Sequence, residues 1–445
     1  MACVGEIKKV KPHPSSGKTA KSEEHHQKID TLAGKVQAKV ARTYKDIHKN
    51  AELSNREFRT SKKVADHLKS LKLDSVKRKI APTGVVGILK GGKPGKKVIA
   101  LRADMDALPV KETVDVPYKS TQVDKDYPGG PFPVAHSCGH DAHTAMLMGA
   151  AEVLSKVRDQ IPGTVMFVFQ PAEEGPPIGE EFGAEAMLKA GVFKKPKPDC
   201  CFAIHTSPLP ADHVGYARGP QMASSVIFKI HIAGKQVHGS MPWAGLDPMP
   251  VLAAINDGFA QIYRQVDANE PITISIGKID TVGRTNIIGD HIDAWGTVRC
   301  VHDRIMGDVN KRMRRVVEDS AKAHGLTAKI QFFQKVPSAV NTPKWVDTFA
   351  PTLERVAGKQ KLHVIEPVLA YDDASQFIRA AGGLYTVLGS QNTKLTKSGL
   401  EPMKPGKPMG GPVANHNPGY YVVPEALETG VRLHCHAAID FLGQS

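Results

Sequence analysis

The chain has 445 residues, 41% of them hydrophobic and 23% charged, with a formal net charge of +14. That length suits two domains, and the composition excludes a disordered or collagen-like chain. No run approaches the ~20 apolar residues of a membrane-spanning helix, and the scattered Lys and Arg accompany no RNP, zinc-finger or helix-turn-helix pattern, so neither a membrane nor nucleic acid is an expected partner.

Residues 1–30 read as a polar, flexible arm without apolar periodicity or the hydrophobic stretch of a secretion signal. Six cysteines are too few and too irregular for a disulfide framework, so a cytoplasmic location is expected. An exported form would need a leader removed beforehand. From Leu32 on, Val36, Val40, Tyr44 and Ile47 recur at helical spacing, and a second helix is predicted over 56–71, with Ser54 or Asn55 as its cap. Strands follow at 84–89 and 97–102, the latter running into Asp104 and Asp106.

A Pro- and Gly-rich loop leads to His136-Ser137-Cys138-Gly139-His140-Asp141-Ala142-His143, then to a helix through Met146, Ala150 and Leu154. A strand over 164–169 ends in Gln170-Pro171-Ala172-Glu173-Glu174-Gly175. After a helix at 183–190, a buried strand over 199–204 stops at His205. This alternation predicts an α/β fold with a mostly parallel sheet covered by helices on both faces. Working residues of such sheets gather past the strand ends, where Asp104, Glu173, Glu174 and His205 stand.

Near Gly219 the rhythm changes to strand 225–233, helix 248–266, strands 272–279 and 291–298, helix 303–324 and strand 328–333. That βαββαβ order predicts a ferredoxin-like α+β domain over 219–334, inserted between two halves of a catalytic domain at 31–218 and 335–445. The second half resumes with helix 345–356, a strand near Val364, a turn at Tyr371-Asp372-Asp373 with a helix to 380, and strand 384–388. Residues 390–414 read as a long loop without secondary structure, and a helix over 425–442 closes the chain.

Cys138 and His140, two apart around a glycine, can aim sulfur and imidazole at one point, a donor pair suited to zinc and related ions. Two ions side by side can acidify a shared water, provided a carboxylate that is not a ligand takes its proton. Adjacent Glu173 and Glu174 point in different directions past a strand end, so one can ligate while the other moves protons. His136 and His143 read as supporting histidines, and Cys200 and Cys201 as buried strand residues.

These stretches resemble the M20 metallopeptidases over about residues 30–443. The similarity lies closest to the aminoacylase and amidohydrolase branch that holds hippurate hydrolases and plant auxin-conjugate hydrolases. Its marks are the run from Ala100 to Pro109, the cluster from His136 to His143, the stretch from Gln170 to Gly175, His238 beside Gly239 with Pro242, and His416-Asn417-Pro418. The resemblance implies Cys138, His140, Glu174, His205 and His416 as ligands of two divalent ions, zinc or manganese first and cobalt or nickel next. It also implies Glu173 as general base and Asp104 and Asp106 as residues that position the ligands. His238 would stabilise the oxyanion of a partner subunit's substrate, in a homodimer or higher oligomer, while Asn286 and Arg299 would hold the substrate carboxylate.

Three departures stand out. Ala51 occupies a usual proline position, so neighbouring His48 receives no role. Gly289 replaces another proline, and Tyr371-Asp372-Asp373-Ala374-Ser375 replaces a common Glu-Asp-Phe-Ser pattern at the expected pocket wall. The expected activity is hydrolysis of N-acyl amino acids or similar small conjugates. The alternatives are a dipeptidase or carboxypeptidase with the same centre, and a non-catalytic metal-binding scaffold. The other reading of Arg299 pairs it with a surface carboxylate such as Asp293.

Overall fold

In the computed structural model, residues 7–9 and 20–444 are described. They form two compact units. The first holds the chain up to Gln221, Ala339–Glu366 and Asp372 onward; the second holds Met222–Ser338 with Pro367–Tyr371.

A nine-stranded sheet organises the first unit. Its order is Ile7–Lys9, Leu362–Ile365, Val214–Tyr216, Gly383–Gln391, Cys200–Pro210, Lys93–Asp104, Pro162–Gln170, Gly84–Lys90, Ser75–Ile80. The four long central strands are mutually parallel, and antiparallel strands sit toward the edges. All residues of Cys200–Pro210 are buried, so both faces are covered, as parallel strands require. The core draws on Ile99, Leu101, Val165, Phe167 and Phe202 from the sheet, with Val40, Met146 and Val431 from the helices Ala20–Lys49, His140–Lys156 and Leu427–Leu442. The α/β class with a mostly parallel sheet is the one the alternation predicts.

Register opens the site. Pairing of Cys200–Pro210 with Lys93–Asp104 stops at Arg102↔Ala203, yet pairing with Gly383–Gln391 continues to Gln391↔Pro210. His205 therefore lies within a strand rather than at its end, but past the last residue paired on the 93–104 side. Space for side chains begins there.

The second unit carries a four-stranded antiparallel sheet in the order Ile272–Thr281, His291–Cys300, Ser224–Ala233, Thr327–Val336, with helices Met249–Ile262 and Asp303–Ala323. Val226, Phe228, Ile230 and Ile232 alternate into its core against Ile255, Phe259, Val309 and Met313. Pro367–Tyr371 joins this unit because the N–H of Ala223 bonds to the carbonyls of Val368 and Ala370.

Some expectations need correction. The first helix begins at Ala20, not near Leu32, so residues 20–30 of the expected arm are helical; 1–6 and 10–19 lie outside the described residues. This first part packs through polar pairs, His26 with His436 and Asp30 with Arg432, which hydrophobic periodicity does not reveal. Helix Phe58–Ser70 takes no side-chain cap from Ser54 or Asn55; the Glu52 carboxylate accepts the N–H groups of Arg59 and Thr60 instead. The stretch 390–414 contains a hairpin, Thr393–Thr396 with Gly399–Pro402. Among the described residues no helix is long and apolar enough to cross a membrane.

Candidate metal centre

Gly139 starts the site. With φ at +92 it adopts a conformation that side chains disfavour, just before helix His140–Lys156, and so bends the chain between Cys138 and His140. Ala172 and Gly175, both at positive φ, bend the chain on either side of Glu173 and Glu174. His416 also has positive φ, and its N–H donates to the carbonyl of Ser137 at 2.7 Å.

These bends bring distant side chains together. Donor atoms of Cys138, Glu174 and His416 lie within 4.8 Å of one another, as do those of His140, Glu173 and Glu174, so Glu174 is common to both groups. Sγ of Cys138 is 3.4 Å from Nε2 of His205. Nε2 of His416 is 3.1 Å from Oε1 of Glu174. Asp104, His140, His143 and His205 form a further set with the same spread.

Hydrogen bonds orient the imidazoles. Nδ1 of His205 donates to the carbonyl of Thr206 at 2.7 Å, and Nδ1 of His140 to Oδ1 of Asp106 at 3.2 Å, which leaves each Nε2 lone pair facing inward. Asp106 accepts from Ser54 Oγ at 2.6 Å and from the N–H of Glu174 at 2.9 Å through its other oxygen. Asp104 accepts from Nδ1 of His143 at 2.6 Å, and His143 in turn meets Thr206. His143 is thus held behind the centre, while buried His136 has no hydrogen-bond partner at either nitrogen.

The residues fit divalent cations. Nε2 of His140 is buried without a hydrogen-bond partner, 3.6 Å from Asp104 and 3.7 Å from Glu174, so its lone pair is one that a cation would satisfy. Burial opposes charge on His140, yet Asp104 and Asp106 carry its pKa up to about 10, so the pocket favours positive charge. Burial works against Glu174 too, but His416 and His140 bring it down to about 2. Burial, Asp372 and Glu174 push Glu173 well above the usual carboxylate range. Burial lowers His205 to about 4, which keeps it neutral and able to ligate.

The sequence reading left several neighbours unassigned. Arg102, fully buried, donates to Gln170, Asp104 and both oxygens of Asp372. The N–H of Asp373 reaches Oε1 of Glu173 at 3.3 Å. His48 lies buried between Asp141, 2.6 Å from Nδ1, and Glu112, 3.0 Å from Nε2. An arginine amid an apolar strand was the one signal that could have revealed the first group.

Three expected residues belong to the second unit. His238 and Asn286 are neighbours there: strand Val237–His238 pairs with Ile287–Ile288, and the N–H of Gly239 donates to the Asn286 carbonyl at 2.8 Å. Arg299 stacks on Tyr371, 4.4 Å from the ring centre, while Asp293 pairs with Lys229 and His231.

Comparison with known proteins agrees with this geometry. Residues 100–440 match the model of peptidase family M20/M25/M40. The chain is 36% identical over 418 residues to thermostable carboxypeptidase 2 of Saccharolobus solfataricus, covering 93% of this chain and 98% of that protein. It is 35% identical over 308 residues to the N-acyl-L-amino acid amidohydrolase of Geobacillus stearothermophilus, covering 69% and 79%. Its structure is similar to that of a dinuclear metal-binding M20 peptidase from Bacillus subtilis, with a TM-score of 0.72 and 27% identity over 93% of this chain and all of the other. Fold, donor cluster and family match converge: the chain belongs to peptidase family M20/M25/M40 and is a metal-dependent hydrolase of amide bonds.

Proposed function

We propose that the chain cleaves the amide bond of N-acyl amino acids and related small conjugates at a pair of divalent ions held by Cys138, His140, Glu174, His205 and His416. The convergence of Cys138 and His416 on one side and His140 on the other upon a shared Glu174, with His205 grouped beside His140, supports the reading. Sulfur and imidazole suit zinc, the carboxylates admit manganese, and cobalt or nickel are tolerated by the same set. When bound, such a pair acidifies a water and polarises the amide carbonyl.

The protein's own groups do the rest. Glu173, with Oε1 held by the N–H of Asp373, takes the proton of the attacking water on Oε2 and returns it to the departing amine. Asp106 and Asp104 keep His140 and His143 in place. His238, supplied to the site by a partner subunit in a homodimer or higher oligomer, donates to the tetrahedral oxyanion. Its Nδ1 accepts the N–H of Ser240 at 3.1 Å, so its proton sits on Nε2, ready to donate. Arg299 and Asn286 receive the free carboxylate of the amino acid.

A second reading, carboxypeptidase or dipeptidase, draws support from the relatives named as carboxypeptidases. Both readings need an amide whose amine side ends in a carboxylate. A non-catalytic scaffold has no use for Glu173 beside Glu174. The test is hydrolysis of hippurate-type substrates, their carboxamide analogues and free dipeptides, with metal analysis and with or without chelator. Turnover of the acyl amino acids, lost with chelator and in the carboxamides, is expected. Preferential cleavage of dipeptides would select the second reading, and chelator-resistant hydrolysis would sink both.

A further inference from the structure

Asn415 stands between two of the proposed ligands. Its Nδ2 donates to the carbonyl of Cys138 at 3.2 Å and reaches Sγ of the same cysteine at 3.5 Å. An amide nitrogen carries two hydrogens, so both contacts form together. The next residue, His416, bonds through its N–H to Ser137, so 415–416 are stitched side by side onto 137–138. His416 sits at φ +68, a conformation that side chains disfavour, and the stitches hold it there. On the far side, buried Gln391 accepts the N–H of Val413 at 2.8 Å and donates to its carbonyl at 2.9 Å, fixing the approach to His416.

The sulfur needs such a donor. It is buried, with little access to solvent donors. His205 cannot help, because its Nδ1 holds the proton that bonds to Thr206.

We propose that Asn415 is a positioning residue for the Cys138 sulfur. Its amide directs the thiolate, draws off part of its charge, and couples it to His416 so that the two retain metal as one unit. The inference rests on the reading of Cys138 and His416 as ligands.

The test uses the whole protein loaded with cobalt(II), whose bond to a thiolate gives a charge-transfer band in the near ultraviolet. Asn415→Ala is expected to move that band to longer wavelength, because a sulfur without its hydrogen bond gives up an electron more easily. It is also expected to speed cobalt loss to EDTA by about 10-fold or more. Asn415→Asp keeps the shape but removes the donors, and serves should the alanine variant not fold; it is expected to lose cobalt faster still. A wild-type band position in both variants overturns the proposal, even if metal loss quickens, because that pattern marks a structural role alone. Cys138→Ser separates the two readings: a band that survives it, or a wild-type protein without one, refutes Cys138 as a ligand and this proposal with it.

Discussion

The backbone N–H of Asp373 lies 3.3 Å from Oε1 of Glu173, so the turn that opens helix Ala374–Ala381 grips one oxygen of the proposed base. The other oxygen lies 3.9 Å from Nε2 of His140. Glu173→Gln keeps the size and can still accept the Asp373 N–H, but cannot take a proton. The expected outcome is full metal content with turnover lowered roughly 10²–10⁴-fold, the usual worth of general-base catalysis. Steady-state rates beside elemental analysis check it; unchanged turnover would end the base assignment.

Arg102 extends this order behind the acids. Its guanidinium, fully buried, meets Asp372 at 2.7 and 3.0 Å and Asp104 at 2.8 Å. Arg102→Met would leave two carboxylates buried without their cation, a loss of about 3–5 kcal/mol. Arg102→Lys cannot reproduce the forked contact and should also destabilise. Adding Asp372→Asn to Arg102→Met should recover part of the loss in urea unfolding, because the two residues touch. Strict additivity would count against the pairing.

How much was readable beforehand follows from the range of each interaction. Strand periodicity alone placed Asp104 at the end of one strand and Glu173 and Glu174 past the end of another, and the glycine between Cys138 and His140 marked a bend in the chain. Pairings made only by tertiary packing were silent. Arg102 and Asp372 are 270 residues apart, and the turn carrying Asp372 matched no familiar pattern. The extent of the 200–210 strand depended on a neighbour near the far end of the chain. Ser54 showed a capping residue's chemistry but spends it on Asp106, and Ala51 drew attention away from His48.

His48 makes a prediction about pH. Burial disfavours its charge, but Asp141 and Glu112 overcome that and raise its pKa to about 10. A folded pKa above the unfolded value near 6.5 means that the protonated group stabilises fully below about pH 6.5, and that this contribution fades as pH rises through about 10. His48→Gln should therefore be less stable than wild type by a constant amount below about pH 6, with the gap narrowing steadily from about pH 6.5 toward pH 10. Denaturant midpoints of both proteins across that range measure it. A gap that stays level throughout would mean His48 carries no proton-linked stability.

Gly139 offers the strictest steric test. A Cβ there would collide with the hydroxyl of Thr206 and come within 3.0 Å of the Tyr420 hydroxyl, at a φ of +92. Thr206 cannot easily yield: its Oγ1 bonds to the carbonyl of Cys138 at 3.2 Å and to Tyr420 at 2.8 Å, and its N–H bonds to His143. Gly139→Ala should thus shift Cys138 and His140 apart, losing metal as well as roughly 1–3 kcal/mol from the backbone conformation alone. Adding Thr206→Ala relieves the collision but not the backbone strain, so the double variant should regain some metal while remaining less stable than wild type. Metal content and melting temperature of the two variants separate the contributions. If Gly139→Ala binds metal as tightly as wild type, the turn at 139 does not set the distance between the sulfur and the imidazole.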